Sequence, residues 1–225
     1  IKPDYIEARY SLAIIFHQTG NLDSIKHLEK IITLKPNFAE AHNILGVELK
    51  AVGQLNESVK SYKKAIDINQ NYAEAHNNLG NVLIELEHLD DAVQAYRRAL
   101  AINPDFPTFH NNLGNALRKN GELNNAVKSY QEALTLNNEY ADSHNNLGVA
   151  FFDLNQLEDA LGSYTKAIKI NPDYEDALNN LGVVQKKLSL YDEAIKSYQR
   201  ALIINPDNFE THNNLANIFS EHGRL

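Results

Sequence analysis

The chain has 225 residues, 21 Lys+Arg against 29 Asp+Glu for a formal net charge of -8, nine His, and no Cys, Met or Trp. That length supports one or two domains with a buried core, while zero Cys removes disulfides, thiolate nucleophiles and Cys-based zinc or iron–sulfur sites. The acidic balance argues against a nucleic-acid partner, and no apolar run nears the ~20 residues of a membrane span, so no membrane is expected either.

A period of 34 residues organises what remains. His-Asn-Asn-Leu-Gly begins at His76, His110 and His144, and His212 opens the near-copy His-Asn-Asn-Leu-Ala. Tyr62, Tyr96, Tyr130, Tyr164 and Tyr198 keep the same spacing. The units are 6–38 (one residue short), 39–72, 73–106, 107–140, 141–174, 175–208 and a partial 209–225. Position n counts within a unit, with Ala39, Ala73, Pro107, Ala141, Glu175 and Phe209 at position 1.

Each unit predicts two helices. The first opens on a capping signal, Asp4-x-x-Glu7, Asn37-x-x-Glu40, Asn71-x-x-Glu74 or Asp207-x-x-Glu210. It carries apolar or small residues at positions 3, 7, 11 and 14, as in Ala75, Leu79, Leu83 and Leu86. Gly20, Gly53, Gly121 and Gly223 end first helices, where a left-handed residue is wanted. The second helix buries positions 20, 21, 24, 27, 28 and 30, for example Ala92, Val93, Tyr96, Ala99, Leu100 and Ile102. Pro36, Pro104, Pro172 and Pro206 then stop it. No window alternates with period two, so the expected class is all-α.

Leu-Gly at positions 7–8, Ala at 20, an aromatic at 24, Ala at 27 and Pro at 32 resemble the signature of the tetratricopeptide-repeat (TPR) family over essentially the whole chain. The sequence departs at position 4, where the family usually has Trp and this chain has His42, His76, His110, His144, Leu178 and His212. Gln70 and Asn138 replace Pro, and Ala13 and Leu28 stand where Gly and Tyr usually sit. The resemblance implies an α-solenoid of helix-turn-helix repeats in a right-handed superhelix, first helices lining a concave groove. Ile1–Tyr5 reads as the tail of a preceding unit, the chain stops at Leu225 just after a first helix, and polar end caps are missing. The expectation is one array sliced from a longer protein.

No chemistry-bearing constellation emerges. Position-4 histidines recur once per unit on helices ~8–10 Å apart, whereas zinc needs ligands ~2 Å from one centre, so they are expected to fill the Trp slot as half-buried packing residues. His17, His27, His88 and His222 have no ligand spacing. Ser61-x-x-Lys64 and Ser163-x-x-Lys166 match a Ser/Lys nucleophile string but sit on the outer face without partners. Phosphate loops, dinucleotide fingerprints and His-Glu-x-x-His are absent. The expectation is no catalysis, cofactor or metal in this chain, with a catalytic domain elsewhere in the full-length protein compatible.

The asparagines are concentrated. Positions 5, 6 and 9 hold 14 of the 29 Asn, on a face turned away from the apolar stripe and so toward the groove. Position 5 gives Asn43, Asn77, Asn111, Asn145, Asn179 and Asn213; position 6 gives Asn78, Asn112, Asn146, Asn180 and Asn214; position 9 adds Asn81, Asn115 and Asn217. A primary amide can donate to and accept from an extended peptide backbone whatever its side chains. The alternative is that these groups bond across neighbouring first helices, with position 5 the structural row. Asn at position 6 before Leu and Gly or Ala looks like the asparagine ladder in the TPR domains of the O-linked N-acetylglucosamine transferases, where it holds the backbone of protein substrates. Ile44 and Ser11 break the row, so it begins at Asn78. The carboxylate clamp of chaperone adaptors needs Lys at position 5 and is absent. Arg118/Lys119 and Lys186/Lys187, at positions 12–13, form basic steps expected to select acidic ligand side chains; position-2 acids (Glu7, Glu40, Glu74, Asp142, Asp176, Glu210) read as helix caps.

The sequence therefore predicts a scaffold for protein or peptide segments. A substrate-recruiting array of a fused glycosyltransferase or other transferase, and self-assembly through the array ends, are the alternatives.

Overall fold

The computed structural model describes residues 5–20 and 23–221. They form helix pairs: α1 (Ile6–Gln18) and α2 (Asp23–Leu34), α3 (Ala39–Ala51) and α4 (Leu55–Ile68), α5 (Ala73–Glu85) and α6 (Leu89–Ile102), α7 (Pro107–Lys119) and α8 (Leu123–Leu136), α9 (Ala141–Asp153) and α10 (Leu157–Ile170), α11 (Glu175–Lys187) and α12 (Tyr191–Ile204), then α13 (Phe209–Glu221). No strand occurs among the described residues. The chain divides into two compact units, Ile1–Ala116 and Leu117–Leu225, the division falling inside α7. Within each unit the fold is an all-α stack of repeats. Asp4, His222 and Gly223, with the readings placed on them, lie outside the described residues.

The two helices of a repeat meet through a large residue on one and the smallest on the other. Tyr62, Tyr96, Tyr164 and Tyr198 are fully buried with their rings on Gly46, Gly80, Gly148 and Gly182, leaving no room for a Cβ at any of these glycines. Alanines at position 27 (Ala65, Ala99, Ala133, Ala167 and Ala201) are buried completely, which lets neighbouring helices approach closely. In the irregular first unit a buried carboxylate takes over: Glu48 on α3 accepts from Ser24 Oγ at 2.6 Å and pairs with His17 Nδ1, tying α1, α2 and α3.

First helices end in the expected left-handed residue at Gly20, Gly53 and Gly121. Glu87, Asn155 and Ser189 adopt the same conformation without being glycine (φ 61°, 58° and 62°). The hydrogen bonds explain this. Gln54 N donates to Leu49 O at 2.8 Å and Gly53 N to Lys50 O at 2.9 Å, and His88 and Glu87 repeat the pattern on Leu83 and Ile84 at 2.9 and 3.1 Å. Closing a helix this way satisfies its last carbonyls and outweighs the modest strain of a non-glycine.

Two local expectations need correction. The capping boxes do not form, because the residue at the N-cap is the aromatic of position 34. Phe38, Tyr72, Tyr140 and Tyr174 sit there with no side-chain cap bond, and the Asn or Asp lies one residue too early. Only the last repeat puts an acceptor there: Asn208 Oδ1 receives Thr211 N at 2.8 Å. Nor is Pro the stop. α4 and α8, which lack it, end at the same register as the helices that have it. Asn69, Asn137 and Asn171, at position 31, each accept the backbone N–H two residues on at 3.1–3.2 Å, turning the chain toward the next unit.

The histidines that replace Trp tie consecutive repeats. Nε2 of His42, His76, His110, His144 and His212 donates to the position-32 carbonyl of Pro36, Gln70, Pro104, Asn138 and Pro206 at 2.8–3.2 Å. Where Leu178 breaks the row, Arg200 reaches the Pro172 carbonyl instead, at 3.5 Å. With Nε2 committed, a second proton must go on Nδ1. Burial pushes His76 and His144 below the usual 6.5, and Arg98 or Lys166 nearby adds to this, against the opposing carbonyl bond. The folded pKa is depressed, so the unfolded chain protonates first as pH falls. Stability is therefore complete above about pH 6.5 and declines below it. The expected result is a urea midpoint that is level at neutral pH and falls toward about pH 5. His76→Leu/His144→Leu, copying Leu178, should flatten that fall. An unchanged acid slope would remove these two histidines as its cause.

Candidate functional site

Positions 5 and 6 of the first helices separate into two kinds of asparagine. Position 5 is buried: Asn43, Asn77, Asn111, Asn145 and Asn179 are only 5–8% exposed. Asn213, on the last helix, is exposed. Position 6 is half-buried at Asn78, Asn112, Asn146, Asn180 and Asn214. One hydrogen bond recurs between the rows. Nδ2 of Asn78, Asn112, Asn180 and Asn214 donates to Oδ1 of Asn43, Asn77, Asn145 and Asn179 in the preceding repeat, at 3.0–3.2 Å. The buried row receives further partners: Asn43 Nδ2 donates to the Tyr72 hydroxyl at 3.3 Å, and the buried Thr211 hydroxyl donates to Asn179 Oδ1 at 3.1 Å.

Bonding across first helices is thus real, and at position 5 Asn43, Asn77, Asn111, Asn145 and Asn179 are buried while Asn213 is open. The same bond fixes the orientation of the amides of Asn78, Asn112, Asn180 and Asn214. One N–H is spent inward, while a second N–H and the carbonyl oxygen stay outside that bond. At position 9, Asn81 accepts the buried Tyr96 hydroxyl at 2.7 Å, so it too is engaged. Asn115 is half-buried and Asn217 exposed.

Positions 12 and 13 pair between successive repeats. Lys50 meets Glu85 at 2.7 Å, Arg118 meets Asp153 at 3.0 Å, and Lys187 lies over the Phe152 ring, 4.3 Å from its centroid. Arg118 also holds the Tyr130 hydroxyl. Its guanidinium is therefore ion-paired within the chain, while still about a third exposed. Lys119 and Lys187 are exposed and Lys186 half-buried. The sequence carried a signal for this pairing, since a cation or aromatic at position 12 faces the opposite partner one unit later.

The position-2 acids stand beside the position-34 aromatics. Burial, then Glu40 and Glu74, push the Tyr72 hydroxyl up to about 12. Burial also pushes Tyr174 up, reinforced by its hydrogen bond to Asp142. Both phenols stay protonated as hydrogen-bonding groups at the edge of the asparagine face. Asn208 Nδ2 donates to the Glu175 carboxylate at 2.5 Å, the amide counterpart of that contact. These aromatic and acidic partners escaped the sequence reading, which took the acids for caps.

Among the described residues no group of three or more His, Asp or Glu could hold a metal, and no helix is long and apolar enough to cross a membrane.

Comparison with known proteins agrees with this architecture. Models of the TPR repeat match residues 48–87, 80–121, 114–155 and 150–189, and tetratricopeptide-repeat models match 175–208 and 197–225. The chain belongs to the tetratricopeptide-repeat family. No curated protein matches it in sequence. Among solved structures it is similar to YrrB, described as a TPR protein with an unusual peptide-binding site, with TM-score 0.66 and 22% identity over 83% of this chain and 96% of that one. It is also similar to pilF of Pseudomonas aeruginosa, with TM-score 0.80 and 20% identity over 94% and 97%. MamA of Desulfovibrio magneticus RS-1 gives 0.70 and 18% over 77% and 99%. At these identities the likeness is one of fold.

Proposed function

We propose that this chain is a non-catalytic scaffold that binds extended protein segments along the asparagine face of its first helices. The observation that carries the reading is the inter-repeat bond from position 6 to position 5. It spends one N–H of Asn78, Asn112, Asn180 and Asn214 and orients what remains of each, a donor and an acceptor, two amides to a compact unit. Helices ~8–10 Å apart match about three residues of extended chain at ~3.3 Å each, so successive amides meet every third peptide group or so. The likeness to the asparagine ladder of O-linked N-acetylglucosamine transferases and the peptide-binding description of YrrB both favour this mode. Each net hydrogen bond contributes ~0.5–1.5 kcal/mol, against ~1–2 kcal/mol for ordering each ligand residue, so binding is weak, multi-site and tolerant of side chains.

The test is capture of disordered peptides on the immobilised chain, wild type beside Asn78→Ala/Asn112→Ala and Asn180→Ala/Asn214→Ala. Each pair removes two backbone-reading amides within one compact unit. Capture should weaken about tenfold or more in each, with the helical circular dichroism unchanged at the assay temperature. Equal capture by both variants would sink the reading.

A further inference from the structure

Three clefts between the second helices of successive repeats, each floored by a first helix, share one register. Near α4 the cleft is lined by His42, Leu45, Leu49 and Lys60, with a volume of about 350 Å³; near α6 by His76, Leu79, Leu83 and Gln94, about 400 Å³. Near α10 it is lined by His144, Leu147, Phe151 and Gly162, and it opens to about 530 Å³. Lys60, Gln94 and Gly162 share position 22, where Lys26, Lys128 and Lys196 stand in the other repeats. The volume rises as that side chain shrinks, and Gly162 removes it altogether.

Nothing inside the chain calls for this glycine. A Cβ built on Gly162 meets no atom within 4 Å, unlike one on Gly148, which strikes a buried ring. Gly162 lies inside α10, where glycine weakens a helix relative to Lys or Gln. A residue that costs helix stability and clears no internal clash leaves an opening. Clefts of about 300–1,000 Å³ suit an inserted group.

The walls specify what would enter. Phe151 supplies an aromatic surface where the other two clefts have leucine. His144 is 8% exposed and forms part of the floor, its Nε2 committed to the Asn138 carbonyl and its Nδ1 sealed from the cleft. The rim carries the exposed carboxylates Glu158 and Asp159 against the single cation Lys166. We infer that the cleft between α8, α9 and α10 is a second docking site, taking a protein segment that inserts an aromatic side chain over Gly162 beside a lysine or arginine. The ring lies against Phe151, and the neighbouring cation meets Glu158 and Asp159. The site is independent of the asparagine face.

Selection of displayed random short peptides on the immobilised wild-type chain tests this, with enriched pools re-assayed on Gly162→Lys and on Asn180→Ala/Asn214→Ala. The expected pool pairs an aromatic residue with an adjacent Lys or Arg. It loses on the order of tenfold or more of its binding on Gly162→Lys, the loss of an anchor contact, and keeps it on the asparagine variant. Lys is the residue the sibling repeats carry there, so Gly162→Lys should melt at or above the wild type, which separates occlusion from misfolding. Absence of enrichment, a pool without the aromatic–basic pair, or equal binding to Gly162→Lys would each overturn the site. So would loss on the asparagine variant instead. A concentration-dependent elution volume that Gly162→Lys abolishes would place a second copy of the chain in the cleft, and would also overturn it.

Discussion

Replacing Tyr164 with alanine is expected to cost about 3–5 kcal/mol of stability, the scale for deleting a buried aromatic ring. The ring is 2% exposed and closes α9 onto α10, and a Cβ on Gly148 would stand only 2.7 Å from its Cε1. The contact constrains both residues. Gly148→Ala should destabilise by roughly 1–2 kcal/mol, although alanine is the better helix former by about 1 kcal/mol, because overpacking forces ring or helix to move. In a Tyr164→Leu background the added methyl finds space and that penalty should largely vanish. Urea midpoints for the four species of this double-mutant cycle measure the coupling. Additive penalties would mean that the ring yields freely. Repeat arrays need not unfold in one step, so protection of α9 and α10 amides from hydrogen exchange should accompany the midpoints.

Asn179→Ala is the second large effect, about 2–3 kcal/mol, the cost of stranding a buried polar partner. Its Oδ1 accepts from both Asn214 Nδ2 and the Thr211 hydroxyl, and Thr211 is completely buried. Water cannot replace the lost acceptor at Thr211, whereas it can reach half-buried Asn214. The adjacent Asn180→Ala takes the donor from buried Asn145 Oδ1, but the half-buried side chain it removes leaves room for water there, so it should cost no more than about 1 kcal/mol. Asn213→Ala, at the same repeat position as Asn179 but exposed, should be nearly neutral. Thermal melts of the three variants separate the rows. Equal losses at Asn179 and Asn213 would show that burial is not what makes position 5 structural.

Much of the fold was legible because the repeat states each rule several times. The tyrosine and glycine that must meet recur in phase, and so do the left-handed turns at Gly53 and Gly121. The same turn at Glu87, Asn155 and Ser189 was invisible, because its hydrogen bonds are made by the backbone and leave little trace in side-chain identity. The helix caps were misplaced by one residue, since spacing alone cannot say whether an Asn sits at the N-cap or just before it. The candidate site was half legible. Its amides could be assigned to one face, but how deeply each row sits depends on the neighbouring repeat.

By itself, then, the sequence determined the class of fold, the two-helix unit and its period, and the face on which asparagine accumulates, because these follow from residue spacing within one unit. Only the tertiary structure decided that position 5 is buried while position 6 is oriented by it, and that Arg118 pairs with Asp153. It also decided that the position-4 histidines tie each repeat to the carbonyl before it and that Gly162 opens a cleft. The first two arise where side chains 35 residues apart come within a few ångströms, and the histidine bond, though it spans six residues, depends on how the turn sets one helix against the next. Burial and partner choice are properties of the stack, and a periodic sequence specifies the unit more completely than the junction.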